Sequence, residues 1–141
     1  MALDLDQLRP LAGIRHAMRR FLAASEAISK AAGITQQQYQ AMLAIAAWGE
    51  AMTISDLADQ LLLTHHAAVQ LVDRLSKAGL AERSPSAADR RRVELTLTAG
   101  GAGLLESLAG QHLEEMLKRE PELSASLRRL RRLRPASESD G

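Results

Sequence analysis

Apolar side chains recur every three to four positions along most of this chain, a spacing that predicts helices. The first helix opens between Asp6 and Pro10, because aspartate is a good cap and proline is tolerated in a first turn. Its apolar stripe is Leu11, Ile14, Met18, Phe21, Leu22 and Ile28, and Gly33 stops it after Ala32. Thr35 and Gln38 have the spacing of a capping box for a second helix, with Tyr39, Met42, Leu43 and Ala46 inward and Trp48-Gly49 at its close. Thr53 and Asp56 repeat that spacing at the head of a short third helix, which turns Ile54, Leu57, Ala58 and Leu61 inward. After a brief turn at Leu62-Leu63, Thr64 caps a fourth helix that runs to Ala78 and ends at Gly79. Two short amphipathic helices so closely joined predict a helix-turn-helix.

Beyond Gly79 the period changes. Residues 80–83 read as one short strand, and Val93, Leu95 and Leu97 alternate with polar positions as a second. Ser84 to Arg90 forms the polar turn between them, so a hairpin follows the helix-turn-helix directly, as a wing does. Thr98 caps a fifth helix bearing Leu105, Leu108, His112, Leu113, Met116 and Leu117. Gly100, Gly101 and Gly103 weaken its first turns, by roughly 1 kcal/mol for each interior glycine relative to alanine. Pro121 is expected to break it and to start a sixth helix carrying Leu123, Leu127, Leu130 and Leu133. Residues 134–141 read as a disordered tail. The predicted fold is mainly α with a small two-stranded β-wing. It is one domain over residues 1–141, with a winged helix-turn-helix at 35–98 whose wing spans 80–98. The end helices, 6–32 and 99–133, carry apolar stripes with no third layer to cover them, and mutual cover across a two-fold axis predicts a homodimer.

Composition narrows the class. The 141 residues are 46% hydrophobic but only 2% aromatic, so aliphatic side chains must fill the core. A net charge of +1 means that any polyanion partner needs positive charge gathered on one face. No cysteine is present, which excludes disulfides, thiolate metal sites and thiol redox sensing in this chain. The start lacks the basic and apolar regions of a signal peptide, and no apolar run is long enough to span a bilayer, so a cytoplasmic protein without membrane contact is the expectation.

The candidate chemistry lies on the fourth helix and the wing. With the buried stripe Ala68, Leu71, Val72 and Leu75 removed, the outer face shows His65, His66, Val69, Gln70, Asp73 and Lys77. Gln70 has the amide that pairs with adenine, Val69 suits a thymine methyl, and Thr64, Arg74 and Lys77 suit phosphates. A merely solvated helix face remains open on this helix alone. Arg90, Arg91 and Arg92 stand at or beside the hairpin tip, and arginine fits the narrow minor groove of A·T-rich DNA. Asp89 is expected to brace one of their forks, and a charged turn serving solubility is the plainer alternative. The adjacent His65 and His66 point about 100° apart on a helix and are poor joint metal ligands. No nucleophile elbow, phosphate-cradling glycine loop or zinc pattern occurs, so no catalysis, metal or cofactor is expected. Duplex DNA is the favoured partner, and the alternative is a winged-helix protein-interaction module without DNA binding.

Ile54-Ser55-Asp56-Leu57-Ala58, the segment His65 to Leu75 with its Leu71-Val72-Asp73-Arg74-Leu75, Gly79-Leu80, Asp89-Arg90-Arg91 and Leu95-Thr96-Leu97-Thr98 occur here in order. With its flanking helices, nearly the whole chain resembles the MarR-type (multiple antibiotic resistance) regulators. That resemblance implies a dimeric winged-helix repressor or activator, joined through its end helices and released from a pseudo-palindromic operator by a small, often aromatic or phenolic, effector. It puts His65, His66, Val69 and Gln70 on the base-reading face and Arg90 or Arg91 in the minor groove. Phe21, Tyr39, Met42, Trp48 and His112 are candidates for lining an effector pocket, each with ordinary core packing as its alternative. Leu127 to Arg134, leucine-spaced and basic, is read as packing on the partner subunit with its arginines in solvent, with an extra DNA or membrane-surface contact as the alternative.

Overall fold

A computed structural model describes residues 3–134, and Pro135–Gly141 of the expected tail lie outside them. The elements in order are α1 (Leu5–Ala31), α2 (Gln36–Trp48), α3 (Ile54–Leu61), α4 (His65–Lys77), β1 (Ala81–Pro85), β2 (Val93–Leu97) and α5 (Ala99–Leu133). They form two compact units, one of residues up to Ala27 and from His112 onward, the other Ile28–Gln111.

In the second unit the helices start where side chains capture free amides. Thr35 Oγ1 accepts from Gln38 N at 3.0 Å and Gln38 Oε1 accepts from Thr35 N at 2.8 Å. Thr53 and Asp56 exchange the same pair of bonds at 3.2 and 2.9 Å. Thr64 Oγ1 accepts from Ala67 N at 3.1 Å. Each cap contributes about 1 kcal/mol. The third helix ends at Leu62, which takes the left-handed conformation with φ 55 and is 92% exposed. A branched side chain there costs roughly 1–2 kcal/mol, and no sequence signal marks the position. Met42, Met52, Leu57, Leu71, Val72, Leu75, Leu95 and Leu108 are fully or almost fully buried and make the centre of this unit's core, an aliphatic packing that suits a chain so poor in aromatics.

The wing pairs β1 and β2 antiparallel, from Ala81 opposite Leu97 to Pro85 opposite Val93. Met52 adds an isolated bridge, its carbonyl accepting from Leu95 N at 2.7 Å, which backs the hairpin with the segment before α3. Because β1 extends to Pro85, the connecting turn is 86–92 rather than 84–90.

Thr98 anchors the start of α5: its Oγ1 accepts from Gly101 N at 2.9 Å and donates to Gly79 O at 2.6 Å. Glycine at 101 has a steric cause. A Cβ there would strike the Leu80 carbonyl, so the helix lies on the start of the wing only because no side chain intervenes. Gly103 has open space around it.

Two expectations fail in the other unit. The first helix is capped by Asp4, whose Oδ1 accepts from Asp6 N at 2.9 Å, and not by Asp6; Pro10 then lies buried inside α1. Pro121 does not break the chain into two helices, because α5 passes through it as one helix of 35 residues. Pro121 lacks the N–H that would bond Leu117 O, and both residues are exposed, so water can replace the missing donor. Gly13 brings α1 close to Ser126 of α5, whose Oγ lies 2.8 Å from where a Cβ would stand. Here His112 is buried, its Nε2 is 2.7 Å from Ser25 Oγ, and its ring meets Phe21 edge-on at 6.3 Å. Leu3, Leu5, Leu11, Leu113, Leu117 and Leu127 remain half or more exposed.

Candidate nucleic-acid interface

The recognition-type helix α4 stands on Ala68, Leu71, Val72 and Leu75, all buried, which fixes its opposite face outward. Thr64, His65, His66, Gln70, Arg74 and Lys77 are exposed, and Val69 is half-buried. Gln70, His66 and Val69 therefore lie together toward the first half of the helix, with the cations Arg74 and Lys77 in its last turn.

Asp73, expected on the same free face, is engaged. Arg83 Nη2 of β1 reaches Asp73 Oδ1 at 2.6 Å and also donates to Val69 O at 3.3 Å. Arg83 therefore clips the wing to the middle of α4. Sequence reasoning passed it over, although an arginine in a strand ten residues after a helical aspartate was the available signal.

The turn of the wing is built on Ser86, which is buried. Its Oγ accepts from Ala88 N and Asp89 N at 3.2 and 3.3 Å, and its N donates to Arg92 O at 2.8 Å. The Asp89 carboxylate accepts from the backbone N of Arg91 at 3.0 Å, so it braces the turn's main chain and not an arginine fork as expected. Arg90, Arg91 and Arg92 are exposed, and none forms an ion pair among the described residues.

Two hollows flank this turn. A groove of about 470 Å³ is lined by Thr53, Ser55, His65, Arg91, Arg92 and Val93, joining the starts of α3 and α4 to the wing. A cavity of about 370 Å³ lies on the other side of the turn, where Trp48, Glu50, Asp56, Ser86, Asp89 and Arg92 meet. Backbone and side-chain bonds from Thr53 hold the Asp56 carboxyl below its ordinary value of 3.8, with a smaller contribution from Arg92.

The suggested effector residues fall in different units. Tyr39 and Met42 are buried in the core around the winged elements and Trp48 packs against it, while Phe21 and His112 touch each other in the other unit. Burial raises the Tyr39 phenol above its ordinary value of 10.0.

The sequence profile of the MarR family matches residues 32–92. The HTH-type transcriptional regulator FarR of Neisseria gonorrhoeae is 32% identical over 103 residues, covering 73% of this chain and 69% of FarR. The chain belongs to the MarR family. A mutant of S. aureus MepR bound to an oligodeoxyribonucleotide has a similar fold, with TM-score 0.65, 21% identity and coverage of 84% of this chain and 92% of that one. BpsR of Bordetella bronchiseptica, from a structure on regulation of its DNA binding by 6-hydroxynicotinic acid, matches with TM-score 0.66 and 23% identity, covering 87% and 91%. MarR-family membership makes the protein a transcriptional regulator, built as a winged helix-turn-helix. No helix among the described residues is long and apolar enough to cross a membrane.

Proposed function

We propose that this MarR-family protein binds duplex DNA as a homodimer, with α4 in the major groove and a wing arginine in the adjoining minor groove. The observation that carries the reading is the conjunction of an exposed, bonding-capable face on α4 with three arginines on the wing that have no ion-pair partner among the described residues. Unneutralised guanidinia beside a helix held out by its own core suit a polyanion with grooves. Gln70, His66 and Val69 read bases, Thr64, Arg74 and Lys77 hold phosphates, and His65 at the head of α4 stands where it can meet either. Arg90, Arg91 or Arg92 enters the minor groove. The exposed leucines of α1 and α5 cover one another between subunits, so the operator is a pseudo-palindrome with half-sites about 10 base pairs apart.

A small aromatic or phenolic effector releases the protein from DNA, a reading supported by family membership and by the relation of BpsR to 6-hydroxynicotinic acid. Of the suggested contacts, Phe21 and His112 meet in one unit and Tyr39, Met42 and Trp48 lie in the other, so each group is a separate candidate; a panel of small phenolic acids should lower DNA affinity. The decisive experiment is a salt titration of DNA affinity. Each phosphate contact contributes a slope of about −0.9 in log affinity against log salt, and several contacts are expected per dimer. Affinity that ignores salt, or absence of binding, favours a protein-interaction module instead.

A further inference from the structure

We propose that the groove joining α3, α4 and the wing seats one backbone phosphate of DNA, with His65 as a ligand that binds it in the protonated form. DNA binding then takes up a proton at each His65. The proposal rests on the DNA-binding reading above and adds a regulatory input to it.

The groove's polar wall is Thr53, Ser55, His65, Arg91 and Arg92. It holds two permanent cations without an ion-pair partner among the described residues and two hydroxyl side chains, and no carboxylate lines it. The nearby Asp56 has its carboxylate bonded to Thr53 N and faces the neighbouring cavity. Such a wall suits an anion. The phosphodiester is the natural one, because the groove opens between α4 and the wing, the two elements that approach the duplex.

His65 is the conditional member of the set. An imidazole has one N–H when neutral, and two with a full positive charge when protonated. A phosphate in the groove supplies the negative charge that favours the protonated form. The groups facing His65 are Arg91 and Arg92 from the wing and the neutral Thr53 and Ser55 from the start of α3, and on its own helix only His66 is a titratable neighbour. Since the protonated protein binds more tightly, affinity is highest on the acid side and falls as pH rises through the imidazole range, about pH 5 to 8. One coupled proton changes affinity by at most about tenfold per pH unit.

A phosphate contact is indifferent to sequence, so a short random-sequence duplex at low salt is a sufficient probe. Its affinity for the full-length protein is measured by anisotropy from pH 6 to pH 8, and proton uptake by calorimetry in buffers of different ionisation heat. The expected result is stronger binding at pH 6 with net proton uptake. His65→Gln should flatten the pH dependence and abolish the uptake, while substitution of an exposed histidine of α1, His16→Gln, should keep both. His65→Lys, which carries a permanent charge, should hold acid-side affinity up to pH 8, and it decides the matter if His65→Gln does not bind. Failure of the wild type to bind the duplex at any pH overturns the DNA-binding reading itself. A flat wild-type profile, or a wild-type slope persisting in His65→Lys or His65→Gln, overturns the proton-coupled site and leaves DNA binding standing.

Discussion

Gln70 and Arg90 are both exposed, yet substituting them should have different consequences. With Gln70 reading a base as proposed, Gln70→Ala should cost the correct site about 1–3 kcal/mol, so operator affinity should drop while random-DNA affinity holds. Arg90→Ala removes a charge, so both affinities should weaken and the salt slope should become shallower by about one unit. Parallel anisotropy titrations on an operator selected from a random pool and on random duplex check both; equal weakening of all DNA by Gln70→Ala removes that helix face from base reading. Asp56 gives a stability test. Its folded carboxyl titrates below the ordinary 3.8, so its bonds to Thr53 stabilise the fold above that pH, and this contribution disappears as pH falls through the depressed value. The melting-temperature gap between wild type and Asp56→Asn should therefore be present at pH 5 and close in more acid solution. The Thr53–Asp56 and Thr35–Gln38 caps were legible because they depend on residues three apart. The Arg83–Asp73 clip was not, because it depends on how a strand returns over a helix.

Among the elements, α5 shows where local rules stop. Three glycines close to its start and Pro121 near its end argue against a long helix, yet one runs from Ala99 to Leu133. Gly101 is explained by the Leu80 carbonyl beneath it, a tertiary contact with no local signature, whereas Gly103 has no such neighbour. The two should respond oppositely to the same substitution. Gly103→Ala gains helix propensity and should stabilise by about 0.5–1 kcal/mol. Gly101→Ala gains the same propensity but forces its methyl group onto backbone, an overpacking that costs about 1–3 kcal/mol. Urea unfolding of both variants checks the signs, and a stabilised Gly101→Ala would mean that α5 does not rest on the wing. The helix-turn-helix and hairpin were legible because their periods and caps agree, and their ends shifted by only one or two residues; on α2 the inward face is Tyr39, Ala41, Met42 and Ile45, with the expected Leu43 and Ala46 exposed.

For the whole molecule, the exposed leucines of α1 and α5 predict one sedimenting species of twice the chain mass at micromolar concentration. Ending the chain after Lys118 removes Leu123, Leu127, Leu130 and Leu133 and should lower dimer content and melting temperature together. A full-length monomer would contradict the proposed pairing. The proposed pairing rests on apolar stripes in excess of what one winged domain can cover, and the stripes do not specify their partner's geometry. The chain's single tryptophan carries another consequence. Trp48 borders the cavity beneath the wing's turn, beside Asp56, Asp89 and Arg92, so its excited state senses the charges of that one place. The protein thus contains its own fluorophore beside the turn of the wing. If docking on DNA rearranges the turn, the emission colour shifts without any dye, and if the wing docks already shaped, the spectrum stays still while the rotational correlation time lengthens.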